Sequence, residues 1–124
     1  MIFKKRIIFI TFLFFCFGCE EKGNEIVCTT EYVYGLHVTL LDASNSLPIT
    51  DDVTVVIKDD NYEEVLQIIE SNNSFFGAGE RSGTYTITII SNSYITFVSE
   101  PITVTRNICH VIPVSKTIAL TPSI

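Results

Sequence analysis

The chain has no tryptophan, only two histidines and, beyond residue 19, only five basic side chains. Each scarcity excludes something. Without tryptophan, a sugar-stacking surface would have to be made from tyrosine and phenylalanine. His37 and His110 have no metal-spaced partner, so the ligand set of a zinc peptidase is missing. No Gly-x-Ser-x-Gly elbow is present for serine hydrolysis, and the two cysteines beyond residue 19, Cys28 and Cys109, form no Cys-x-x-Cys. From Cys19 onward fourteen acids face Lys22, Lys58, Arg81, Arg106 and Lys116, a net charge of −9 against −6 for the whole chain. Such a surface repels phosphate backbones, which excludes nucleic acid as a partner. It also disfavours electrostatic adhesion to anionic lipid.

What is present at the start is an address. Lys4-Lys5-Arg6 precedes an apolar run from Ile7 to Phe17, broken by Thr11, and then Gly18-Cys19 and Glu20-Glu21-Lys22. Charge, apolar stretch and small residue in that order form an export signal over residues 1–18. A membrane-spanning helix would need about 20 apolar residues, more than lie between Arg6 and Gly18. Cysteine directly after the small residue resembles a bacterial lipoprotein signal, in which Cys19 carries the acyl chains (palmitate-type) and becomes the first residue. The alternative is ordinary secretion with a free Cys19. Residues 19–27 read as a polar tether. The acidic pair behind the lipid site is similar to the surface-export signal of some bacterial lipoproteins. The implied location is the cell envelope, at the outer membrane and facing outward, with retention beneath it as the alternative. The membrane is then a partner only through the anchor, and stable anchoring takes more than one chain.

The remaining residues, 28–124, make one small domain. Cys28 and Cys109 stand at its two ends. In an oxidising compartment they are most simply one disulfide; a reactive or metal-binding thiol pair is the alternative. The hydropathy has period two. Leu36, Val38 and Leu40 alternate with Gly35, His37 and Thr39, Val53, Val55 and Ile57 with Thr54, Val56 and Lys58, and Tyr85, Ile87 and Ile89 with Thr84, Thr86 and Thr88. These are strands with one face in a core. Two shorter strands flank Pro101, and a last one lies between Val111 and Leu120. Residues 62–70 are ambiguous between helix and strand, and their shortness favours a strand. Turn signals fall at 42–46, 59–61, 71–73 and 77–83. About seven strands with regular turns predict an all-β sandwich.

Three stretches carry a family resemblance. They are Gly35–Ala43 followed by Leu47-Pro48-Ile49, Phe76–Ile87 with its Gly-Thr-Tyr at Gly83-Thr84-Tyr85, and Val104–Val111. Together with the Cys28-Thr29-Thr30-Glu31 start they resemble the carboxypeptidase regulatory-like domain, a transthyretin-like Greek-key sandwich. Ser91-Asn92-Ser93-Tyr94 departs from the family, which usually has glycine before the aromatic. The resemblance implies a seven-stranded fold, no cofactor and a module without catalysis. Enzymes of related fold have signatures this chain lacks: the C-terminal Tyr-Arg-Gly-Ser of hydroxyisourate hydrolases, and the His-x-His of iron-binding intradiol dioxygenases. Gly77, Gly79 and Gly83 read as turn glycines needing φ > 0, Tyr85 as a core residue, and Glu80 and Arg81 as decorating or bracing the turn.

Two constellations suggest binding. The acidic pairs Asp51-Asp52, Asp59-Asp60 and Glu63-Glu64 would hold Ca²⁺ if they converged, but as separate turns they simply keep an edge soluble. The aromatics Tyr32, Tyr34, Tyr62, Phe75, Phe76, Tyr85, Tyr94 and Phe97 would bind saccharides if exposed and coplanar. Two functions follow: a structural, adhesive or protein-binding envelope module, or a carbohydrate-binding module for polysaccharide capture. Ring geometry discriminates between them.

Overall fold

A computed structural model describes residues 26–124. The signal peptide over 1–18, the lipid site Cys19 and residues 20–25 of the tether lie outside the described residues. Nine strands follow one another: β1 (Tyr34–Asp42), β2 (Val53–Asp59), β3 (Tyr62–Val65), β4 (Gln67–Ile69), β5 (Ser74–Gly79), β6 (Gly83–Ser91), β7 (Phe97–Val98), β8 (Ile102–Val104) and β9 (Val114–Leu120). One 3₁₀ turn, Glu70–Asn72, joins β4 to β5. The fold is all-β, in two sheets. One has the order β4-β5-β1-β9; the other has β3-β2-β6-β7, with β8 also on β6.

The alternation seen in the sequence decides which side chains enter the layer between the sheets. Leu36, Val38 and Leu40 of β1 face Val55 and Ile57 of β2 and Tyr85, Ile87 and Ile89 of β6, joined by Phe75, Val104, Ile118 and Leu120. All are nearly or fully buried. Side chains two apart on a strand share a face, so each strand gives one row to this layer.

The count exceeds seven because Ser74–Gly79 is a strand of its own and residues 62–69 make two strands instead of one. Residues 62–69 are extended, but they change sheets. Val65 pairs with Val56 of β2, while Gln67 pairs with Phe76 of β5. Leu66, between them, donates its N–H to Val55 and buries its side chain. Sandwich corners are made by such transfers. Pro101, which has no N–H for the ladder, separates β7 from β8 along β6, as expected of the two short strands around it. Beside that break, Ser99 Oγ accepts the Ile87 N–H at 2.8 Å, and the Ser99 N–H returns a bond to the Ile87 carbonyl.

The glycine expectation is corrected. Gly77 and Gly79 lie inside β5, Gly83 opens β6, and none has positive φ. The left-handed residues of this stretch are Ala78 (φ 55°) and Glu80 (φ 51°). The glycines serve close approach instead. A Cβ on Gly77 would lie 2.7 Å from Leu66 Cδ1, one on Gly79 would overlap the Tyr32 ring, and one on Gly83 would overlap the Asp59 carboxylate. That is the other use of a residue without a side chain.

Candidate functional site

The chain enters the sandwich at a clasp. Cys28 and Cys109 are disulfide-bonded, with Cα atoms 5.3 Å apart. Once they are paired, the following residues of each segment also meet. Thr29 Oγ1 lies 2.9 Å from His110 Nε2, and His110 Nδ1 lies 2.6 Å from Glu80 Oε2. Glu80 is the centre of this arrangement. Its carboxylate accepts the Val33 N–H at 3.0 Å and the Val111 N–H at 3.4 Å. Its own N–H donates to the Val33 carbonyl, and its carbonyl accepts from the Arg106 guanidinium. Arg106 also donates to the Cys109 carbonyl, and Asn107 Oδ1 accepts the N–H groups of Cys109 and His110. One carboxylate thus ties the β5–β6 turn to the entering segment and to the loop before β9.

Acid, imidazole and hydroxyl in that order is also the sequence of a nucleophile relay. Here the acid has two further backbone donors, and the Thr29 hydroxyl sits on an exposed segment beside the disulfide. Sequence spacing alone gives His110 no partner. The signal for Thr29 was its place directly after Cys28, which becomes informative only when the disulfide is known.

Partial burial raises the pKa of Glu80, but hydrogen bonds from His110, Val33 and Val111 outweigh it, leaving the carboxyl below the usual glutamate range. A depressed folded pKa stabilises the protein above the unfolded value, about 4.3, and that stabilisation is lost as pH falls through the folded value. Glu80→Gln is therefore expected to flatten the fall of melting temperature between about pH 5 and pH 3. The remaining slope comes from groups such as Asp42, whose pKa is lowered by Ser44 and then Tyr94. Identical acid slopes for the two proteins would show that Glu80 gains nothing from its charge.

Arg81, next in the chain, braces the same turn from the other side. Its guanidinium carbon lies 3.7 Å from the Tyr62 ring centroid. It reaches Asp59 at 3.1 Å and the Tyr85 hydroxyl at 3.0 Å. The Tyr85 hydroxyl in turn donates to the Arg81 carbonyl at 2.7 Å. Tyr62 donates to Glu64 at 2.6 Å, and that bond with the nearby charge pushes its pKa up to about 12. Both Glu80 and Arg81 thus brace the turn rather than decorate it.

The acidic pairs do not converge. Asp51-Asp52 and Asp59-Asp60 lie at opposite ends of β2. Asp59 is taken by Arg81, Glu63 faces Lys58 at 3.9 Å, and Glu64 accepts from Tyr62 and from the Ala78 N–H. Among the described residues no three His, Cys, Asp or Glu side chains are grouped to hold a metal.

The aromatics divide. Phe75, Phe76 and Tyr85 are buried; Tyr34, Tyr62, Tyr94 and Phe97 are half-buried; Tyr32 is 64% exposed. Tyr32, Tyr34 and Phe76 form a chain of contacts at 5.3 and 5.6 Å, with interplanar angles of 86° and 61°. His37 adds to it, 4.4 Å from Phe76 at 50°. Edge-on contacts suit aromatic packing; they do not make a flat platform. Compared with protein-family models and with curated proteins, the chain matches none of them.

Proposed function

We propose that this chain is a lipid-anchored, non-catalytic module of the bacterial cell envelope that contacts other proteins. Its sandwich is read as the Greek-key, carboxypeptidase regulatory-like type, and its anchor as acyl chains on Cys19 at the outward face of the outer membrane. The observation that carries the reading is how the reactive side chains are used. Glu80, His110 and Thr29 fasten the entering segment, Arg81 and Tyr85 fasten the β5–β6 turn, and the clustered rings pack edge to face. The disulfide fits an oxidising compartment. The exposed Tyr32 is what favours the second reading, glycan capture in support of polysaccharide binding.

The anchor is tested first. The mature protein is expected to begin at Cys19 with acyl chains visible in its intact mass, and Cys19→Ser is expected to release it from membranes. An unacylated mass, or a serine variant that stays membrane-bound, defeats the anchor. The binding class is tested by cross-linking in envelopes beside a glycan array with Tyr32→Ala as control. Hydrolytic turnover lost in His110→Ala, with folding unchanged, would overturn the non-catalytic reading.

A further inference from the structure

The edges of the two sheets are not alike. β3 has four residues, two of them glutamates; β4 and β8 have three each, and β7 has two. Short or charged edges are how sheets avoid unwanted pairing. β9 is different. It has seven residues, it ends its sheet, and among the described residues β1 is its one strand neighbour. One side of its backbone is left without a strand to pair over residues 114–120, between the bridges its flanks make, Pro122 with Tyr94 and Val111 with Arg106.

A cleft of about 170 Å³, mostly apolar, lies directly beside that edge. Phe97, Pro101 and Ile102 form its wall from the other sheet, and Ile118 of β9 closes it. Lys116 and Glu100 stand at the same cleft. Val114, Lys116, Ile118 and Leu120 alternate on one side of β9, so Lys116 interrupts an apolar row. Its charge is also unmatched. Lys58 and Arg81 have carboxylate partners and Arg106 bonds two carbonyls, whereas Lys116 has no ion pair among the described residues.

From these observations we infer that β9 accepts a partner's extended segment as an added strand. An apolar side chain of that segment fills the cleft, and an acidic one two residues away meets Lys116. Unpaired backbone groups supply affinity in such additions, and a pocket beside the edge supplies choice of sequence. The lone lysine does both parts of selection: it opposes indiscriminate apolar strands and attracts an acidic one. This inference rests on the protein-binding reading and gives it a place and a chemistry.

The test uses the full chain as purified and a fluorescent hexapeptide, Thr-Glu-Thr-Leu-Thr-Val, followed by anisotropy. Saturable binding is expected, abolished when the peptide backbone is N-methylated. Replacing the peptide's glutamate by lysine, or Lys116→Glu in the protein, is expected to weaken binding about fivefold, as for an exposed ion pair. Combining the two changes is expected to restore it. Lys116 is exposed, so its variant keeps the fold. Absence of binding, indifference to N-methylation, or no rescue by the double reversal would overturn the inference. So would a dimer of this chain that pairs β9 with β9. If envelope cross-linking still gives a partner that Lys116→Glu does not disturb, the edge assignment fails and the protein-binding reading stands. If no partner is found either, both fail.

Discussion

Opening the Cys28–Cys109 disulfide is expected to lower stability by about 4–5 kcal/mol on a chain-entropy argument, because it closes a long loop. The two cysteines are 81 residues apart, and the cost of closing that loop returns to the unfolded chain when the bond is removed. For a domain of this size the melting temperature should fall by about 16–40 °C. The Cys28→Ala/Cys109→Ala variant and the reduced protein should agree, since neither substitution touches the core. The measurement is calorimetry of both, with thiol alkylation and intact mass to count free cysteines. A fall of only a degree or two would show that the hydrogen bonds of Glu80 and His110 hold the entering segment without the covalent bond.

Tyr85 is the second position with a large expected effect. It is wholly buried, and its ring belongs to the layer between the sheets. Tyr85→Ala should cost about 3–5 kcal/mol, as for other large aromatic deletions. Tyr85→Phe separates the ring from its hydroxyl. It keeps the packing but leaves the Arg81 carbonyl without its donor and the Arg81 guanidinium without one acceptor. About 1–3 kcal/mol is expected for that loss. Denaturant unfolding of both variants decides the matter. If the phenylalanine variant is as stable as the parent, the hydroxyl does not hold the turn, and Arg81 is positioned by Asp59 and Tyr62 alone.

The elements legible in the sequence are those buried on one face. β1, β2 and β6 each give one row to the core, so their alternation is visible without knowledge of partners. β5 shows why others are not. Phe75 and Phe76 both lie buried, one in the core and one under His37 on the outer side, so no alternation marks the strand. Gly77-Ala78-Gly79 then reads as a turn, although those residues continue the strand, Ala78 with positive φ and the two glycines through the absence of Cβ beneath Leu66 and Tyr32. Residues 62–69 are one extended run by composition; that they serve two sheets depends on β2 and β5, which are remote in sequence. The same holds for the clasp. Nothing local joins Glu80 to His110 or either to Thr29: the pairing of β5 with β1 sets Glu80 beside Val33, and the disulfide sets Thr29 beside His110.

The pairing of β1 with β9 has a consequence for how the domain is made. The two strands run parallel, from Leu36 beside Val114 to Asp42 beside Leu120. The first strand of the fold therefore waits for the last, and the central position of its sheet is incomplete until nearly the whole domain has emerged. Such distant contacts slow folding, because loop entropy is lost before the contact gives anything back. Cys28 and Cys109 lie just ahead of these two strands. Once oxidised, they turn the most remote pairing of the molecule into a neighbouring one. Formation of the disulfide is then a step in assembling the sheet as well as a brace for the finished one.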